Sequence, residues 1–169
     1  MTTTKKTTTT RKKTVTKKVK LPPNPFVHEV LELVNSQRTK AKKIEVLKEY
    51  ADPGLKAILI WNFDPTAISV LPEGPVPYKE NEVPVGTDHT SLRREWKNLY
   101  HFVKGGNDTL SALRRESMFI QLLEGLHPDE AKIICKVKDK DLQSLYPKVT
   151  LDVVKEAFPD IVWGENRGS

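Results

Sequence analysis

From residue 26 to residue 158 the apolar positions recur at three- and four-residue steps, the spacing of helices that bury one face. Phe26, Val27, Val30, Leu31, Leu33 and Val34 predict a first helix. Asn24 is its expected cap, with Pro25 at the first helical position and an end near "NSQR". Thr39 is placed to cap a second helix over about 40–51, with Ile44, Leu47 and Ala51 inward. In "DPGL", Asp52 caps and Pro53 starts a third helix, which carries Leu55, Ile58, Leu59 and Trp61 to about Asn62. Leu92, Trp96, Leu99, Tyr100 and Val103 predict one helix over about 89–104, stopped at "KGGN" with Gly105 as a left-handed cap. A helix over about 108–125 follows, with Leu110, Leu113, Met118, Ile120, Leu122 and Leu123, closed by Gly125. Pro128, Asp129 and Glu130 suit a helix start. Thr150 caps the last helix, ending near Phe158. No alternating strand pattern of useful length appears. The expected fold class is therefore all-α, a compact multi-helix domain.

Charge changes this picture at one end. Residues 1–20 carry Lys5, Lys6, Arg11, Lys12, Lys13, Lys17, Lys18 and Lys20 and no acid, which is +8. The other residues hold 28 − 8 = 20 basic and 22 acidic side chains, a net of −2. "MTTTKKTTTTRKKTVTKKVK" has almost nothing to bury, so residues 1–22 are expected to be a disordered basic tail. Such a tail neutralises phosphates by counterion release without reading sequence; the plain alternative is a solubilising extension. "LPPNPF" marks the approach to a helical domain over 23–165. Residues 64–88, with five prolines and two glycines, are expected to form a long irregular connection of the functional or flexible kind. No apolar run reaches a membrane span and no signal peptide is visible, so the expected site of action is the cytoplasm, the host's if the chain is phage-encoded.

Two basic clusters in the body are candidate DNA contacts. In "RTKAKK", Arg38, Lys40, Lys42 and Lys43 crowd a junction between helices, where free backbone N–H groups add positive potential. In "AKIICKVKDKDLQSLYPKVT", Lys132, Lys136 and Lys140 fall at i, i+4 and i+8 and predict a stripe along one side of a helix, with Lys138 near the same end. Lys148 and Thr150 follow at the next helix start. Two helix ends around one break predict a corner that holds phosphates without base readout. Each cluster also reads as a solvated, dipole-matched helix end.

Catalytic signals are poor. His28, His89, His101 and His127 lack metal-ligand spacing, and one cysteine, Cys135, excludes a disulfide framework or structural zinc site. Cys135 reads as a buried small hydrophobe. Lysines interleave Asp129, Glu130, Asp139 and Asp141, against a hard-cation site. There is no "GxxxxGK" phosphate loop. Trp61, Phe63, Trp96, Tyr100 and Phe102 read as core or boundary aromatics. No cofactor, metal or enzymatic activity is expected.

Three segments carry a resemblance: "EVLELVNSQRTKAKKIEVLKEYADPGLKAILIWNFDP", "GGNDTLSALRRESMFIQLL" and "AKIICKVKDKDLQSLYPKVTLDVVKEAFPDI". Their order and spacing over about 26–162 resemble the N-terminal all-helical DNA-binding domain of phage-type ATP-dependent DNA ligases. The resemblance implies a clamp on duplex backbone phosphates, through Lys136, Lys138, Lys140 and the turn after Leu142. The family's turn contains glycine; "QSLYPKVT" is longer and has none, so Lys148 and Thr150 would have to substitute. The ligase Lys-x-Asp-Gly nucleophile motif is absent, so a stand-alone, non-catalytic DNA replication or repair accessory protein is expected. The rival expectation is a protein–protein interaction module with a replication or virion partner, the tail being incidental.

Overall fold

A computed structural model describes residues 20–81 and 90–164. The described chain is all-helical: α1 (Val27–Ser36), α2 (Lys40–Glu49), α3 (Pro53–Phe63), α4 (Leu92–Glu95), α5 (Ala112–Gly125), α6 (Pro128–Lys138) and α7 (Leu151–Ala157). Two 3-10 turns complete it, Trp96–Phe102 and Leu142–Ser144. Among the described residues the extended pairing is limited to two isolated bridges, Ser69 with Val103 and Thr90 with Leu126.

Helix α6 is the hub. It packs against α1, α3 and α5, and buries Glu130, Ala131, Ile133, Ile134, Val137 and Lys138. Leu31 and Val34 of α1, Ile58 and Leu59 of α3, and Phe119 and Leu123 of α5 close over it. Helix α2 bridges α1 and α7.

Capping residues explain most boundaries. Thr39 Oγ1 accepts the Lys42 N–H, Asp52 Oδ2 accepts the Gly54 and Leu55 N–H groups, and Thr150 Oγ1 accepts that of Val153. Asn24 does not cap α1. Phe26 stands at that position, its N–H donating to Glu29 Oε1 at 2.9 Å. The Val27 N–H donates to Glu130 Oε2 at 2.7 Å. Glu130 Oε1 accepts the Leu92 N–H at 2.9 Å, so one fully buried carboxylate starts two helices that lie far apart in sequence.

The helix expected over 89–104 is α4 followed by a 3-10 segment. Three residues per turn align Leu99 with Phe102, which are buried, while Tyr100 turns to solvent at 49% exposure. Gly105 has the expected left-handed backbone, φ +87°. Leu110 precedes α5 rather than lying within it, and Leu113 is 77% exposed. In α2, Val46 and Leu47 are buried whereas Ala51 is exposed. Cys135 is half-buried, and burial pushes its thiol up to about 11.

The proline-rich connection is pinned through its described part. Val70 N–H donates to Phe102 O, and Lys104 N–H to Ile68 O. Further along, Lys79 N–H donates to Glu124 Oε2. Residues 1–19 of the expected tail lie outside the described residues, and so does His89. The last tail residues already touch the body: Lys20 approaches Glu49 at 3.9 Å, and Leu21 N–H donates to the Tyr50 hydroxyl.

Candidate nucleic-acid interface

The expected lysine stripe on α6 does not form. The helix ends at Lys138, before Lys140 is reached. Its end is a Schellman motif, with Lys140 N–H on Val137 O at 2.9 Å and Asp141 N–H on Lys136 O at 2.8 Å. Lys140 takes the left-handed position, φ 58°, where glycine is usual. Its ammonium donates to Trp61 O at 2.6 Å and Asp64 O at 2.8 Å, closing the carboxyl end of α3. Burial lowers the Lys140 pKa from its ordinary value. The left-handed residue that ends α6 is thus a lysine whose side chain binds the neighbouring helix.

Lys138 also points inward. Its residue is 3% exposed, and its ammonium donates to Pro72 O at 2.7 Å, Gly74 O at 3.1 Å and Asp139 Oδ1 at 2.7 Å. Asp139 Oδ2 accepts the Gly74 N–H, so the pair clamps the proline-rich connection from both sides. An ammonium satisfied by three oxygens inside the protein has no donor left for a phosphate. Lys138 is therefore a structural cation; Lys140 commits two of its three donors to α3 but stays exposed.

The other candidates remain outside. Lys132 approaches Asp129 at 3.8 Å, Lys136 approaches Asp141 at 3.7 Å, and Lys40 pairs with Glu156 at 2.5 Å. The Glu156 carboxylate raises the pKa of Lys40. Arg38, Lys42, Lys43 and Lys148 have no ion-pair partner among the described residues; Lys43 is half-buried and the other three are exposed. The Lys148 N–H donates to Asn35 Oδ1 at 2.8 Å, and α2 packs along α7. This ties the approach to α7 to the end of α1, just before the junction that carries Arg38, Lys40, Lys42 and Lys43. Thr150 spends its hydroxyl on its own helix.

Beside this end lies an open depression of about 420 Å³, lined by Glu32, Asn35, Ser36, Asp129, Lys132, Leu145 and Tyr146. Its mixed charge was not legible from the lysine spacing. At its edge α1 and the start of α6 bring together His28, His127 and Asp129, with potential ligand atoms within 4.8 Å of one another. Spacing along the chain gave no hint of this group, because its members come from two helices. The only local signal is that Glu32 stands one turn beyond His28 on α1.

Residues 30–144 match the profile of a Family of unknown function (DUF6433). No curated protein and no solved structure matches the chain. No helix among the described residues is long and apolar enough to cross a membrane.

Proposed function

We propose that this chain, which belongs to the DUF6433 family of unknown function, is a non-catalytic protein that holds duplex DNA by its phosphates. The observation carrying the reading is the Asn35–Lys148 bond, which gathers the α1–α2 junction and the approach to α7 onto one end. Arg38, Lys42, Lys43 and Lys148 then form the body's contact set. All four are chain-end cations suited to backbone contacts, which position a protein without reading bases. The likeness of segment order to ligase DNA-binding domains supports duplex as the form bound. The +8 of residues 1–20 supports a second, longer-range attraction.

The test is a salt titration of binding to intact, nicked and single-stranded DNA. Arg38→Gln, Lys42→Gln, Lys43→Gln and Lys148→Gln are combined and compared with removal of residues 1–19. Each lost phosphate contact should flatten the log–log salt slope by about 0.9 on duplex. An unchanged slope in the combined variant would remove the body from DNA binding.

A second reading rests on the depression. Glu32 and Asp129 beside Lys132 and Tyr146 suit a protein or peptide better than a polyanion. The described acids that pair Lys40, Lys132 and Lys136 favour the same reading. Under it, the combined variant would leave DNA binding intact while the tail deletion alone abolishes it.

A further inference from the structure

Resting on the second reading above, in which a protein meets this surface, we propose that the depression between α1 and α6 receives one lysine side chain of the partner, its ammonium held by Glu32, Asp129 and the Tyr146 hydroxyl.

Three acceptors stand unfilled around one opening. Asp129 Oδ1 lies 3.8 Å from Lys132 Nζ, and its Oδ2 lies 3.7 Å from His28 Nε2 and 4.0 Å from His127 Nδ1. All three distances are too long for hydrogen bonds. Glu32, exposed on α1, makes no hydrogen bond or salt bridge among the described residues. Tyr146 is the independent observation. It is only 8% exposed, yet its hydroxyl has no hydrogen-bond partner among the described residues. A phenol so deeply set ordinarily finds one. Burial, then the charges of Glu32 and Asp129, push its pKa up, so its oxygen stands within reach of both carboxylates. The remaining polar walls are already engaged. Asn35 Oδ1 accepts the Lys148 N–H, and the Ser36 hydroxyl donates to Leu33 O at 2.7 Å.

The acceptors define the ligand. Two carboxylates from separate helices and one phenol oxygen match an ammonium, which carries three donors on one rotatable nitrogen. The planar fork of a guanidinium suits a single carboxylate better. Leu145 and the Tyr146 ring give the methylene stem an apolar wall. The depression, about 420 Å³ and open to water, admits a side chain while the partner's backbone stays outside. Lys132 supplies one positive charge against two carboxylates, so room remains for a second. Burial, then the Asp129 charge, raises the Glu32 pKa, and an ammonium between the two relieves that repulsion. A free polyamine fits less well. Its further charges would meet Lys132 and, two residues beyond Ser36, the exposed Arg38.

Full-length protein titrated with N-acetyl-lysine methylamide should show saturable shifts of the Asp129, Lys132 and Tyr146 amide signals in proton–nitrogen NMR spectra. The same compound acetylated on its side chain should give none. Glu32→Gln and Asp129→Asn should each weaken binding about tenfold or more, the loss of one charged hydrogen bond. Both side chains reach solvent, and Tyr146→Phe keeps the ring, so the three variants retain the fold. Tyr146→Phe should weaken binding about three- to tenfold. Lys132→Gln should strengthen it, because the internal cation that competes for Asp129 is gone. Absence of a saturable shift, or a Lys132→Gln variant that binds more weakly, would overturn the proposal. Equal binding of the acetylated compound would also overturn it, while the depression as a protein contact would still be judged by the DNA-binding comparison above. Spermidine binding more tightly than the lysine compound, with the same dependence on Glu32, would overturn the protein source of the ammonium.

Discussion

Lys138 and Lys148 lie on either side of one short break, and the structure uses them in opposite ways. Lys138 is sealed in the core against two carbonyls and a carboxylate. The Lys148 side chain faces solvent, and only its backbone is engaged, on Asn35. A milder form of the contrast separates Lys140, exposed but with two donors on the end of α3, from Lys42, exposed on α2 and without an ion-pair partner among the described residues. A lysine beside a helix end serves whichever oxygens come within its reach. Where tertiary packing supplies carbonyls that lack partners, the ammonium becomes an internal cap; where it does not, the charge stays available to a polyanion.

The contrast breaks most severely at Lys138. Lys138→Met leaves Asp139 without its cation and two carbonyls of the proline-rich connection without a donor. Loss of one partner from such a buried pair should cost about 2–4 kcal/mol, read by denaturant unfolding. Proteolysis should then begin within residues 71–77, which Lys138 holds down; uniform protection would mean that the connection is held by its other contacts.

Glu130 extends the contrast to an acid. Burial pushes its carboxyl up to about 7, more than the Leu92 and Val27 N–H groups can offset. The folded chain therefore binds the proton more readily than the unfolded one. This contribution to stability is full below pH about 4.5 and is lost as pH rises through about 7. Glu130→Gln should remove that slope, worth on the order of 2–3 kcal/mol. Persistence of the full slope in the variant would assign it to another group.

Lys140 offers the sharpest discrimination. Lys140→Gly relieves a left-handed residue of about 1 kcal/mol of backbone cost but removes both bonds to α3. Lys140→Ala keeps the backbone cost and loses the same bonds. The alanine variant should be the less stable by about 1 kcal/mol in thermal or chemical unfolding; equal stabilities would mean that the left-handed backbone carries no strain. At the small end, Lys42→Gln and Lys148→Gln should change stability by about 0.5 kcal/mol or less each, since both are exposed.

The helices were legible because helix formation is local. Thr39, Asp52, Pro53, Pro128 and Thr150 stand at or beside the helix starts they signal. Glycine in the left-handed region was legible at Gly105 for the same reason. Phe26 at the start of α1 was not: Glu29 meets its N–H locally, but the next donor, the Val27 N–H, is met by Glu130, remote in sequence. Nor was the 3-10 turn at Trp96–Phe102, since residues at three- and four-residue steps fit both helix types until packing chooses Phe102 over Tyr100.

By itself, then, the sequence determined an all-helical domain, its principal starts and stops, and the concentration of positive charge in residues 1–20. Only the tertiary structure decided which lysines face water, which acid starts two helices, and that His28 meets His127 and Asp129. The reason is one of range. Capping and periodicity act within about one helical turn, whereas the fate of an ammonium, a carboxylate or an imidazole depends on the atoms another helix brings within about 3–4 Å.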